Sequence, residues 1–463
     1  MRHTQIGCIY NIPVLLFRHI SSVIIVYLDL SFSRGVLLVK FNSLLSIILL
    51  VFLLGALATP AAATNGYFSH GYGVKYKALA GAGAALYLGP MAAATNPGAM
   101  AFVGKQYDLS LSIFNPSRKY TVTGDPSGPP QFGLAPGTYE SDSPVFYIPT
   151  ISANWLLNDE ETMALGLAVY GNGGMNTDYP TAVFDPGGMF GNTTPTGVNL
   201  MQLFVAPTFS VLIADSHGFG ITPIFAWQGF EAKGLQAFGE MGFSSDPDNL
   251  TNNGSSSSVG YGVRVGYLGE YLGFLSVGAA YQSPTYMDKF KDYAGLFAEE
   301  GGFDIPANWT AGVAFGFPGM GLAFDVQQIL YSQVKSIANP LLPNLNDAQL
   351  GDDNGAGFGW EDMMIFKTGA WYMTNGGWMF RGGYSYGGQP IPDSEVLFNI
   401  LAPGVVEQHL SFGVSKDVGF DKELSFVVTR AFSNSVSGPN PLDEQQTIEL
   451  QMDQWEFGIG FSF

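Results

Sequence analysis

From residue 105 to the last residue, apolar and polar positions alternate with a period of two in segment after segment. Leu109/Leu111/Ile113, Met163/Leu165/Leu167/Val169, Tyr261/Val263/Val265/Tyr267, Leu322/Phe324/Val326, Trp378/Phe380/Tyr384/Tyr386 and Leu410/Phe412/Val414 put large side chains on one parity. Gly, Ser, Ala, Thr and a few charges fill the other. Successive side chains of a strand point to opposite faces, so each segment reads as a β-strand with one apolar face. Fourteen such strands are expected, near 105–114, 144–157, 160–170, 199–214, 217–232, 259–268, 272–283, 306–317, 320–332, 360–373, 377–387, 404–416, 422–433 and 448–463. In the last of them Trp455, Phe457, Ile459, Phe461 and Phe463 share one parity. The closing run Trp455–Phe463 has about the 9–11 residues that a tilted strand needs to cross a bilayer.

The connections alternate in length. Short ones are expected at Asn158-Asp159, Asp215–His217, Gly269-Glu270, Pro318-Gly319, Asn375-Gly376 and Asp417–Asp421, several with the chemistry of tight hairpins. Long ones, rich in Gly, Pro, Asp, Asn and Ser, are expected at 115–143, 171–198, 233–258, 284–305, 333–359, 388–403 and 434–447. Seven long and six short connections predict an all-β fold, a 14-stranded antiparallel transmembrane β-barrel over 105–463, with both chain ends on the short-turn side. A propeller or a jelly roll does not produce this rhythm.

Residues 64–104 do not alternate. Leu79–Ala85 and Met91–Met100 are built of small side chains, which let backbone pack closely on backbone. Too rich in Ala and too poor in Ser and charge for a linker, the stretch reads as an N-terminal hatch, or plug, filling the lumen. Ahead of it, Lys40, the apolar stretch Leu44–Leu57 and Ala61-Ala62-Ala63 form the three regions of a secretory signal. We expect 1–63 to be leader and signal peptide, cleaved before Thr64, with 1–34 exceeding an ordinary signal.

Composition sharpens this picture. Of 463 residues 60 are Gly, 14% aromatic and only 12% charged, unusual for soluble domains. Beyond residue 63 no run of about 18 apolar residues occurs, which excludes a bundle of membrane helices. Cleavage would leave 15 of the 19 basic and 37 of the 38 acidic residues, a net charge of about −22 that repels nucleic acid. Cys8, the single cysteine, lies in the leader, so no disulfide or thiolate site is expected.

The plug string Ala94-Thr95-Asn96-Pro97-Gly98-Ala99-Met100, together with Tyr170–Met175, Phe204–Thr208 and Arg381–Tyr386 followed by Gln389–Ser394, resembles the FadL-type outer-membrane family that transports long-chain fatty acids and other hydrophobic compounds. The likeness spans the mature chain. Gly98 stands where that family usually has Ala, and Leu88-Gly89-Pro90 stands where an acidic residue is common. The resemblance implies a fourteen-stranded barrel with a hatch, a hydrophobic pocket, and a sideways exit at a kinked third strand. It also implies assembly by the barrel-assembly machinery among outer-membrane lipid and lipopolysaccharide in a Gram-negative bacterium, as a monomer without cofactor.

Residues of this chain fit that exit. The third strand runs into Gly171-Asn172-Gly173-Gly174, while Pro149, Pro207 and Pro223 remove ladder donors from strands 2, 4 and 5, which predicts a wall irregular only around strand 3. By parity Asp108, Arg264, Asp325, Lys367, Arg381 and Glu456 face inward, where charges are candidate functional groups. Mutual pairing accounts for most of them; Arg264, Lys367 and Arg381, with Asn96 and Pro97 of the plug, are the candidate ligand residues. Gly383–Gly387 matches G-x-S-x-G, but it lies within a predicted strand with no helix following, so catalysis is not expected. No His or Cys spacing suits a metal; Asp246/Asp248 and Asp352-Asp353-Asn354 read as solvated loops more than as Ca²⁺ or lipopolysaccharide sites. The expected function is passive, hatch-controlled uptake of hydrophobic molecules, long-chain fatty acids foremost, with lateral exit near strand 3. The alternative is a structural or adhesive barrel without transport, which would have no need of a plug.

Overall fold

The structure, a computed structural model, describes residues 31–33, 36–38, 65–128, 131–190 and 195–463. The expected cleavage before Thr64 lies outside the described residues. Ser31–Ser33 and Val36–Leu38 form a two-stranded antiparallel ladder of their own.

The barrel strands are β1 (Gln106–Thr123), β2 (Phe146–Leu156), β3 (Met163–Tyr179), β4 (Thr196–Ile213), β5 (His217–Lys233), β6 (Ser256–Tyr271) and β7 (Leu275–Gln282). They continue as β8 (Asn308–Phe317), β9 (Met320–Ile329), β10 (Met363–Met373), β11 (Trp378–Gly387), β12 (Gln408–Gly419), β13 (Lys422–Asn440) and β14 (Asp443–Ser462). Each pairs antiparallel with its chain neighbour, and β14 pairs with β1 from Thr447↔Thr123 to Ser462↔Asp108, which closes the sheet. In lipid every ladder group needs a partner, and closure is how a sheet provides it. No helix among the described residues is long and apolar enough to span a membrane, a statement that does not bear on strands.

Parity behaves as the alternation predicts. Leu109, Leu111, Ile113, Val263, Val265, Leu322, Phe324, Phe380, Leu410, Phe412, Phe457 and Ile459 are exposed on the outer face, whereas Arg264, Asp325, Lys367, Arg381 and Glu456 are buried inside. Two expectations need correction. The predicted long connection 434–447 is a tight turn at Pro441-Leu442 between β13 and β14, whose ladder runs on past the expected ends. β1 and β3 are also longer than predicted: β1 keeps alternating through Thr123 with polar residues in place of apolar ones, and residues 172–177 of β3 are buried without alternation, so hydrophobic contrast marks neither extension.

The remaining long connections are not merely solvated. Phe132, Phe184, Phe238 and Phe398 stack with centroids 5.2–6.3 Å apart, bringing four connections together. Phe230, Phe290, Tyr293, Phe297 and Phe303 form a second aromatic group. Beneath this cap residues 65–104 fill the lumen, with a short helix α1 (Gly73–Lys77) and the turns Pro90–Ala94 and Pro97–Phe102.

Candidate functional site

The hatch meets the wall through small residues and a few polar anchors. A Cβ on Gly98 would come within 2.7–2.8 Å of Gly218 O, Gly266 O and Tyr267 Cα. Backbone therefore rests on backbone at this place, and an Ala would not fit. Asn96 Nδ2 donates to Ala84 O at 2.6 Å and to Tyr267 O at 2.8 Å, and its Oδ1 accepts the Gly98 N–H at 3.0 Å. Asp325 of β9 accepts the N–H groups of Gly83 and Ala84 at 2.7 and 2.8 Å. Lys77 pairs with Glu456 of β14, and Lys75 with Glu423 at 3.3 Å. This chain thus locks its hatch with a wall carboxylate on hatch amides.

The candidate ligand residues separate into three places. Arg264 of β6 and Lys367 of β10 line one small lumen chamber of about 30 Å³ together with His70, Tyr72, Gln282 and Gln327. There Arg264 donates to Ala93 O and Tyr170 Oη at 3.0 Å and to Gln282 Oε1, and Lys367 donates to His70 O at 3.2 Å. Arg381, bonded to Ser415 Oγ at 2.5 Å, belongs instead to a cavity of about 440 Å³ at the short-turn mouth, with Lys75, Trp371, Met379 and Glu423. Asn96 and Pro97 lie in the contact between hatch and wall, outside the chamber.

Around β3 the wall comes apart. The β2–β3 ladder runs only from Leu156↔Ala164 to Ile151↔Val169. Beyond it, Phe146–Thr150 of β2 pair with β1 and no longer with β3, and β3 continues from Tyr170 to Tyr179 with β4 as its one barrel-strand partner. The β3–β4 register shifts between Gly171 and Gly173. In the β4–β5 ladder the pairs stop at Val205↔Phe225 and resume at Phe209↔Ile221, a break that contains Pro207 and Pro223. Asn172, turned inward by the bulge, donates to Gln202 Oε1 at 3.0 Å and accepts from the Tyr72 hydroxyl of the hatch at 3.0 Å. The wall is not irregular only here, contrary to expectation: further register shifts occur at Asp417/Gly419 and Ala431/Asn434. Among the described strands, the β2–β3 seam is where a whole run of pairing is missing on both sides.

Ile148 occupies that seam. A Cβ built on Gly171 would stand 3.5 Å from Ile148 Cγ2, its nearest neighbour. Sequence reasoning missed Ile148, which carries no mark beyond being apolar next to Pro149. It also missed Tyr72 and Gln202, and the polar parity of Gln202 was the available signal.

Ser385 of the G-x-S-x-G string lies opposite His409 in the β11–β12 ladder, with Oγ 3.2 Å from Nδ1. Both are fully buried, no α-helix directly follows β11, and the ion-pair contact of Glu456 is with His70, at 3.8 Å. The pair is wall structure. Asp352, Asp353 and Asn354 are exposed. Among the described residues no group of three or more His, Cys, Asp or Glu could hold a metal ion.

Over residues 55–437 the sequence matches the family model described as outer membrane protein transport protein (OMPP1/FadL/TodX). No match is found among the curated proteins. Among solved structures the fold is similar to the Pseudomonas putida toluene transporter TodX, with a TM-score of 0.64 and 18% identity over 85% of this chain and 98% of that one. It is also similar to a Pseudomonas aeruginosa FadL homologue (TM-score 0.60, 15% identity, 88% and 99% covered) and to the Ralstonia pickettii toluene transporter TbuX (0.57, 18%, 85% and 98%). At these identities the likeness is one of fold.

Proposed function

From the premise that this chain belongs to the outer membrane transport family of OMPP1, FadL and TodX, channels for hydrophobic compounds and not enzymes, we propose that it carries long-chain fatty acids and releases them sideways between β2 and β3. The observation that carries this reading is the unpaired seam, which Ile148 fills against Gly171. A ligand leaving there never re-exposes its chain to periplasmic water, which would cost about 0.8 kcal/mol per CH₂. Gly171, Asn172, Gly173 and Gly174 form the gate, because their bulge takes backbone out of the ladder. The hatch holds that bulge in place, so its displacement by an entering ligand opens the route without an energy source.

Arg264 and Lys367 favour a carboxylate head group in their chamber, while Asn96 and Pro97 act through the hatch. TodX and TbuX are described as toluene transporters, and an uncharged aromatic hydrocarbon is the second reading. Lys367→Gln separates the two, since it keeps a donor for His70 O while removing the charge. Uptake of labelled oleate is expected to fall and that of toluene to stay; equal effects on both would end the carboxylate reading. The bound species is identified independently by mass spectrometry of lipids extracted with the purified protein.

A further inference from the structure

At its outer end the opening between β2 and β3 is bordered by a side chain from a third strand. Arg118 of β1 is buried, only 2% exposed. It reaches under the start of β2, donating through Nη2 to Ser143 O, and through Nη1 to Asn176 O and, at 3.2 Å, to Asn176 Oδ1 on β3. Its guanidinium lies 5.4 Å from the centre of the Phe146 ring, which itself packs on Phe114 at 6.2 Å. Just above, Asp142 N–H donates to Asp178 O at 2.8 Å and Asp178 N–H to Ser141 Oγ at 3.0 Å, so chain leading into β2 rejoins β3. The strand that carries Arg118 cannot shift easily, because it pairs with β14 at Met452 and, one residue on, with the loop strand Gly137–Glu140.

Resting on the sideways exit proposed above, we infer that Arg118 is the clamp that fixes the outer edge of that exit and so sets the girth of the molecule that can leave. The lower edge is the first ladder pair, Ile151↔Val169. Between these limits neither β2 nor β3 has a backbone partner across the seam, so its width depends on what ties the two strands at the ends. A planar guanidinium with a rigid fork of donors spans two carbonyls and an amide oxygen at once; an ammonium, with its donors on one atom, spans them less well. Phe146 adds a cation–π contact that a neutral side chain loses. A cavity of about 400 Å³, lined among others by Val145, Phe146, Asn176 and Val198, adjoins the clamp and gives the strands room to part. Arg118 is thus a positioning residue: it acts through the strand separation and does not touch the ligand.

The test compares a slender and a bulky carboxylate, oleate and pyrenebutanoate, as labelled probes in cells expressing the full chain. In Arg118→Leu the pyrenebutanoate-to-oleate uptake ratio is expected to rise about tenfold, the discrimination that a methylene of steric room carries in an apolar passage. Arg118→Lys should fall between Leu and wild type. A purely structural role would lower both probes together with insertion, leaving the ratio unchanged. An unchanged ratio in inserted Arg118→Leu overturns the inference. If that variant does not insert, Arg118→Lys decides it by the same ratio. Gly171→Phe serves as the control for the exit itself: oleate uptake at full rate there defeats the sideways route, whereas a blocked Gly171→Phe with an unchanged Arg118→Leu ratio defeats only the clamp.

Discussion

Phe68 of the hatch and Gly173 of β3 form an antiparallel β-bridge, flanked by Gly174 N–H donating to Tyr67 O at 3.0 Å and Ser69 N–H donating to Asn172 O at 3.1 Å. The hatch thereby supplies backbone partners, from inside the lumen, to the stretch of β3 that β2 has left. Tyr331 holds the same segment from the cap, accepting the Tyr67 N–H at 3.2 Å and donating to Asn65 O at 2.6 Å. Plug, cap and seam therefore meet at one place.

A Cβ on Gly173 would overlap the Tyr67 carbonyl and crowd Phe68 Cα. Gly173→Ala should therefore break the bridge and leave backbone groups unpaired, at about 1–3 kcal/mol for each group that stays buried. The hatch should loosen, and single-channel conductance in planar bilayers should rise. Conductance at the wild-type level would show that the bridge does not hold the hatch.

Asp325→Ala removes the acceptor of two hatch amides, whereas Asp325→Asn keeps one oxygen facing them. We expect raised entry of small hydrophilic solutes in the Ala variant, near-normal entry in the Asn variant, and unaltered heat-modifiable mobility in both. Equal leak in the two would mean that the charge pairing with Lys367, its register partner across the β9–β10 ladder, matters more than the amide bonds.

Gly171 has space for a side chain, with Ile148 Cγ2 at 3.5 Å and Gln202 O at 3.8 Å from its ideal Cβ. Gly171→Phe should fill the seam without disturbing the hatch and strongly reduce oleate uptake, with insertion checked by the mobility of unboiled samples. Changing Gly173 and Gly174 together would be a poorer probe, because a side chain on Gly173 strikes the hatch first.

Deleting residues 65–104 should leave an inserted barrel, since the strands alone supply the lipid-facing surface and the closing β14–β1 ladder. Solute leakage should rise more than in any point variant. Failure to insert would make the segment part of the folding core.

In the cap, Glu395 accepts the Leu341 N–H at 2.8 Å and is mostly buried. Burial pushes its carboxyl above the ordinary value of 4.5, outweighing the bonds from Leu341 and Ser394. A folded-state value above the unfolded one stabilises the cap in acid, and that stability is lost as pH rises through the folded value. Hydrogen exchange in residues 388–407, corrected for its intrinsic pH dependence, should therefore quicken from pH 4 to pH 7, and Glu395→Gln should flatten that change.

The barrel was legible because its code is local. A strand in lipid must show an apolar residue at every second position, so Leu109, Phe324 or Phe412 declare their face without knowledge of any partner. The same parity turned Arg264, Asp325 and Lys367 inward, and the small residues of 79–100 announced close packing. What the sequence could not decide is which of these charges meet: Arg264 and Lys367 share a chamber while Arg381 lies at the mouth, because strands far apart in the chain are brought across a lumen whose contents the hatch determines. The length of the β2–β3 ladder also rests on tertiary structure, since pairing depends on two strands at once and on Tyr67–Ser69 competing for the edge. Arg118 illustrates the limit: its parity says only that it faces inward, and the three acceptors that give it a role come from the loop before β2 and from β3, assembled when the wall closes.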